Sequence, residues 1–254
     1  MNRPGENGKT LSRHRGRSDR DGSAGMEQKE INRILGQTVL FHDLGESRLR
    51  EALLIMRGRI RHYEGRAVLH VSGEPLSFFG LVLGGSVQVT MNDLDGRDVL
   101  MASVRSGETF GEAICALRRP DPPINIYAEK ETDVLWLSAG FLHEPGRGPQ
   151  EELRSMLVCR LAEMMAGRTL RMNRRIQVLS KHTLREKLLT FFAECREEYG
   201  GPSFTIPMDR ATMAAYLGTD RSALSRELSR MRREGLVLYR KNEFTLQMQP
   251  TKPS

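Results

Sequence analysis

The chain has 254 residues, 39% of them hydrophobic, which is room for two domains of ordinary size with real cores. Its formal charge of +7 suits a polyanionic partner. Three scattered cysteines without a C-x-x-C pair argue against a disulfide framework or structural zinc, and no apolar run is long enough to span a bilayer or form a signal-peptide core. The expectation is a soluble, cytoplasmic protein with no metal and no membrane partner.

The charge is uneven. From Glu151 to the end, nineteen Lys/Arg stand against twelve Asp/Glu, so the surplus lies in that half. At the other end, residues 1–26 are rich in Arg, Gly, Ser, Asp and Asn, with Leu11 almost the only large apolar residue. Such a segment cannot bury enough surface to offset its ordering entropy, and reads as a disordered leader. The alternatives are a basic arm on DNA phosphates or a leader from an early start codon, with Met26 beginning the folded protein.

Glu27–Gly36 and Ser47–Arg59 read as short helices, the second with Leu49, Ala52, Leu53 and Met56 inward. From Ala67 the texture changes to short apolar or alternating runs separated by Gly and Asn/Asp turns. These are Ala67–Val71, Phe79–Leu83, Ser86–Met91, Asp98–Ser103, Thr109–Phe110, Ile124–Ala128 and Thr132–Leu137. Their spacing predicts an all-β barrel, roll or sandwich, with a hairpin turn at Asn92–Gly96.

Pro149 to about Leu179 reads as one long helix. Leu153, Leu157, Leu161, Met164, Met165, Leu170, Met172 and Ile176 form its imperfect apolar stripe. A helix of this length outruns one small barrel, so part of that stripe is expected to face a second chain. Thr183–Glu198 reads as a further helix with Leu184, Leu188, Leu189 and Phe192 inward, broken by Gly200-Gly201-Pro202.

Pro207–Val237 then reads as two helices joined by a tight turn. Asp209 is placed to cap the first, Gly218 to end it with a positive φ, and Thr219-Asp220 to open the second. Met213, Ala214 and Leu217 face Leu224, Leu228 and Met231, as in a helix-turn-helix. The second helix shows Arg221, Ser222, Ser225 and Arg226 on its other face, at the end where a recognition helix meets base edges. Leu236–Arg240 and Glu243–Gln247 form a hairpin, or wing, whose Arg240 and Lys241 are placed for phosphates.

The order of these parts resembles the CRP/FNR family of bacterial transcription regulators. In the β region the resemblance rests on Gly73-Glu74, Gly85-Ser86-Val87, and Gly107-Glu108 followed by Phe110-Gly111-Glu112; in the C-terminal part it rests on Gly218, Arg221, Ser225 and Arg226. It implies an α+β protein: an N-terminal β-roll (double-stranded β-helix) sensor domain over 27–148, a dimerisation helix over 149–180, and a C-terminal winged helix-turn-helix over 181–254. It further implies a homodimer on double-stranded DNA at an inverted repeat, with RNA polymerase as a partner. Arg221, Ser222 and Arg226 lie where family members contact bases, and Ser225 where some do. Ser222 departs from the glutamate of the best-known members, which leaves the half-site sequence open.

The effector departs further. Cyclic-AMP-binding members hold the phosphate with an Arg-Ser pair ten and eleven residues after the glutamate of the Gly-Glu motif. Counting from Glu112 reaches Pro122 and Pro123, which offer no N–H or polar side chain, so the resemblance implies an unidentified small-molecule effector rather than cyclic AMP. The expected pocket residues are Gly111, Glu112, Cys115, Arg118, Arg119 and Cys159, with no cofactor assigned. His42, His62, His70, Cys115 and Cys159 are formal haem-ligand candidates, and Cys115 and Cys159 candidate thiol sensors. Two other functions stay open: a ligand-independent or redox-responsive DNA-binding protein, and a cupin-type metalloenzyme. The latter would need a His pair that the β region, with His70 alone, does not offer.

Overall fold

The computed structural model describes residues 20–21, 26–93, 95–143 and 148–247. The expectation of a disordered leader over 1–26 therefore falls outside the described residues, apart from Arg20–Asp21 and Met26. The chain divides into two units, one reaching Met165 and the other starting at Ala166.

The first unit is a β-roll preceded by helices. β1 (Arg20–Asp21) is followed by α1 (Gln28–Gly36), α2 (Glu46–Ile55), β2 (Arg59–Tyr63), β3 (Val68–His70), β4 (Phe78–Gly84), β5 (Ser86–Asn92) and β6 (Asp98–Arg105). Then come β7 (Thr109–Phe110), α3 (Glu112–Ala116), β8 (Asn125–Ala128) and β9 (Thr132–Ser138). One sheet runs β1-β2-β9-β4-β7 and the other β3-β8-β5-β6, all pairs antiparallel. Val82, Val87, Val104, Phe110, Ile126, Val134 and Trp136 fill the roll. Gly85 makes the β4–β5 corner at φ +83°, where a side chain would press its Cβ to 2.3 Å from the Glu131 carbonyl. Only glycine fits that approach.

The β5–β6 hairpin turns at the expected place. The Asp93 carboxylate accepts the Asp95 and Arg97 N–H groups, and Gly96 takes φ +77°. The expected helix over Ser47–Arg59 is shorter. It ends at Ile55 because Arg57 adopts φ +49°, with Arg57 N–H bonded to Leu54 and Gly58 N–H to Leu53. That is a Schellman ending with arginine in the place usually held by glycine. It frees Arg59 to begin β2, a strand the sequence did not suggest.

α4 (Glu151–Leu179) is 29 residues long, about 43 Å at 1.5 Å per residue. Leu153, Leu157 and Leu161 are buried against α1, α2 and the roll, whereas Leu170, Met172 and Ile176 are each 60% exposed.

The second unit holds α5 (Leu184–Tyr199), β10 (Ser203–Thr205), α6 (Arg210–Tyr216), α7 (Arg221–Arg233), β11 (Val237–Arg240) and β12 (Glu243–Leu246), with its sheet ordered β10-β12-β11. Thr183 and Glu186 form a reciprocal capping box at the start of α5. Leu188, Phe191, Phe192 and Cys195 are its buried face. Leu189, expected inward, is 42% exposed because the packing stripe runs one position further round the helix. Gly218 takes φ +63° between α6 and α7, and a Cβ there would meet Leu179 at 3.2 Å.

Candidate nucleic-acid interface

α6 and α7 are fixed first by their caps. The Asp209 carboxylate accepts the Thr212 N–H at 2.7 Å, and Asp220 accepts the Ala223 N–H at 2.7 Å. Met213, Ala214, Leu217, Leu224, Leu228 and Met231 close the seam between them. An ion-pair cluster ties α7 to α5: Arg185 Nε donates to Glu227 at 2.7 Å and its two Nη atoms to Glu234 at 2.7 and 2.9 Å. These hydrogen bonds hold the guanidinium pKa above its ordinary value and the Glu234 carboxyl below its own.

With the apolar face packed, Arg221, Ser222, Ser225 and Arg226 all stand exposed on one side of α7. The Ser222 hydroxyl donates to the Asp220 carboxylate at 2.5 Å and accepts from Arg226 Nη1 at 3.2 Å. Ser222 is thus a relay between the cap and the arginine. Its hydrogen bond is the largest cause holding the Asp220 carboxyl below the usual range. Ser225 and Ser229 donate back to the carbonyls of Arg221 and Ser225 at 2.9 and 2.8 Å. Their single protons are spent, so each hydroxyl presents acceptor lone pairs outward.

The wing joins the same side. Arg240 and Lys241 are exposed, and the turn between β11 and β12 is Lys241-Asn242 with Lys241 at φ +51°. Arg210, not anticipated from sequence, holds that turn. Its Nη2 donates to the Lys241 carbonyl at 2.6 Å, and its guanidinium lies 5.3 Å from the Tyr239 ring centroid and 4.9 Å from that of Phe244. Burial lowers its pKa from the ordinary value. Asp209, Arg210, Ala211, Arg221, Lys241 and Asn242 line a cleft of about 370 Å³ between the helix pair and the wing.

In the first unit five of the six expected effector residues sit on or beside α3 (Glu112–Ala116). Gly111 is its N-cap at φ +81°, and Glu112 is buried at 3% exposure. The Cys115 thiol is buried, donates to the Leu76 carbonyl at 3.2 Å, and is pushed up to about 12 by burial. Arg118 and Arg119 are exposed after α3, and Cys159 is exposed on α4. None of the six lines the cavity of about 410 Å³ at the roll, whose walls include Arg59, Arg61, His70, Phe78 and Trp136. The formal haem-ligand candidates are also dispersed. His42 pairs with Asp43 at 2.9 Å, His62 with Asp133 at 2.9 Å, and His70 is buried in β3. Among the described residues no three His, Cys, Asp or Glu side chains are grouped to hold a metal, and no helix is long and apolar enough to cross a membrane.

Residues 60–144 match the family model of the cyclic nucleotide-binding domain, and residues 184–248 match that of the Crp-like helix-turn-helix domain. The transcriptional activator protein FnrL of Cereibacter sphaeroides is 25% identical over 190 residues, 70% of this chain and 71% of the relative. The solved catabolite activator protein of Thermus thermophilus is 24% identical at a TM-score of 0.46, covering 82% of this chain and 93% of its own. For DNR from Pseudomonas aeruginosa the values are 18%, 0.47, 89% and 97%. These structural likenesses are too slight to add weight; the two domain models, in this order on one chain, carry the assignment. A β-roll of the cyclic-nucleotide-binding type followed by a capped Crp-like helix-turn-helix makes this chain a member of the CRP/FNR family of DNA-binding transcription regulators.

Proposed function

We propose that the chain acts in the cytoplasm as a homodimer on an inverted-repeat operator, gated by a small molecule other than cyclic AMP. The single observation behind the reading head is the exposed row of Arg221, Ser222, Ser225 and Arg226 on a helix capped at both its own start and that of its partner. Arg221 and Arg226 suit guanine, whose O6 and N7 accept a guanidinium fork, at about 1–3 kcal/mol of discrimination each. Ser225, with its proton spent, suits the amino group of adenine or cytosine. Arg240 and Lys241 serve phosphates and set the register.

The division of labour follows the domains: residues 27–148 for sensing, 149–180 for dimerisation and 181–254 for DNA. Ligand in the roll shifts the population of dimers whose two α7 helices match successive major grooves. RNA polymerase is the partner at the promoter, and no catalytic step is assigned. Pro122 supports the exclusion of cyclic AMP: it is buried, and its carbonyl is taken by the Gly73 N–H at 3.0 Å. The test is selection of genomic fragments by the purified protein. An inverted repeat with half-sites about one helical turn apart is expected; enrichment with no shared sequence overturns the reading.

A further inference from the structure

The roll holds a built cavity that uses none of the residues expected to bind an effector. Strand alternation puts Arg59, Arg61 and Tyr63 on one face of β2, and the register sets Arg59 directly opposite Trp136 of β9. Tyr63 and Trp136 point into the roll core, with Trp136 Nε1 donating to the Tyr63 hydroxyl at 2.9 Å. Two arginines therefore occupy the face that the rest of the sheet fills with apolar side chains. Across the cavity, His70 is 6% exposed, and its Nε2 has no hydrogen-bond partner among the described residues. His70 is part of the cavity lining, and a buried ring nitrogen left unpaired is a hydrogen-bonding group without its partner.

Leu69, Leu76, Phe78 and Trp136 give the cavity an apolar part beside these groups, and the volume of about 410 Å³ falls in the ordinary range for small-molecule sites. Glu74 is exposed at the same cavity, whose charged lining is otherwise Arg59 and Arg61. We infer that this cavity binds a small organic anion, its carboxylate or phosphate held by Arg59 and Arg61 with His70 as a hydrogen-bonding partner, and its apolar or aromatic body against Phe78 and Trp136. A bare inorganic anion would leave the apolar wall uncovered, and a neutral aromatic would leave the exposed Arg59 guanidinium without a counter-charge. The site is the ligand site of the sensor domain, and that regulatory meaning rests on the function proposed above.

Trp136 is the only tryptophan of the chain, so its emission reports occupancy directly. The full-length protein is titrated with benzoate, phenyl phosphate, inorganic phosphate and benzamide to millimolar concentration. Saturable change is expected with benzoate or phenyl phosphate, with at least roughly tenfold weaker binding of the other two. Arg59→Ala, at an exposed position, is expected to weaken binding by roughly tenfold or more without changing the melting temperature. His70→Phe, which keeps an aromatic ring and removes both nitrogens, should lower affinity for the aromatic anions. No saturable signal, benzamide or inorganic phosphate binding as tightly as the aromatic anions, or affinity unchanged in both variants overturns the site. Operator affinity is measured in parallel. Binding without any effect on operator affinity overturns only the sensing role, and absence of sequence-selective DNA binding overturns the regulator and leaves the anion site standing.

Discussion

Ser222 shows how a short hydroxyl side chain organises the exposed face of α7. Its hydroxyl is short and already engaged, donating to Asp220 and accepting from Arg226, so it steadies the Arg226 guanidinium on the surface of α7. Arg226→Ala is expected to remove specific binding, at about 1–3 kcal/mol per half-site, while leaving the melting temperature unchanged because the side chain is exposed. Competition binding against a scrambled operator measures both parts; retained discrimination would count against Arg226 as a base reader. Ser222→Glu places a carboxylate acceptor on the same turn, and selected half-sites should gain a cytosine at one position, whose N4 donates to it. An unchanged selected motif would mean that position 222 does not face a base. At this scale the sequence was informative wherever spacing alone fixes exposure. Arg210 was not visible, because its importance comes from the Tyr239 and Phe244 rings that the wing folds over it.

At the scale of elements, α4 carries two different stripes. Its first turns bury Leu153, Leu157 and Leu161, and its later turns leave Leu170, Met172 and Ile176 open to solvent. Exposed apolar positions on a long helix are where a second copy packs. Leu170→Glu with Ile176→Glu is expected to give a monomer by light scattering without loss of helical circular dichroism; a dimer that persists would place the interface elsewhere.

The caps give the second unit its pH response. Hydrogen bonds hold the Glu186, Asp209, Asp220 and Glu234 carboxyls below their ordinary values. A carboxyl depressed in the folded state adds stability above its unfolded value and loses it as pH falls through its folded value. Urea midpoints of this unit should therefore fall as pH drops below about 4, not on the alkaline side. Asp220→Asn, which can still cap, should reduce that fall. A midpoint flat across the acid range would contradict it. Cys115 and Cys195, both pushed up to about 12 by burial, should resist alkylation at neutral pH until the protein is unfolded, as mass spectrometry would show.

For the whole molecule, affinity for DNA is expected to be dominated by phosphate contacts, and so to fall steeply with salt. Lys241→Asn keeps a side chain that tolerates the positive φ and removes one cation per subunit. The log–log salt slope of a dimer should drop by about 2 with little change in sequence preference. A slope equal to that of the wild type would remove Lys241 from the phosphate contacts.

The sequence by itself determined the succession of β region, long helix and helix-turn-helix, the helix pair with its caps, the wing, and the exposed row from Arg221 to Arg226. Each depends on local spacing, turn chemistry or a capping side chain, which the chain carries within a few residues. Tertiary structure decided the rest. β2 was hidden because an arginine rather than a glycine ends α2, and with β2 went the cavity wall of Arg59 and Arg61. The unpaired nitrogen of His70 exists only because antiparallel pairing of β2 with β9, and of β3 with β8, encloses it among residues distant in sequence. Burial and the absence of a partner are properties of a closed roll, and no stretch of sequence states them.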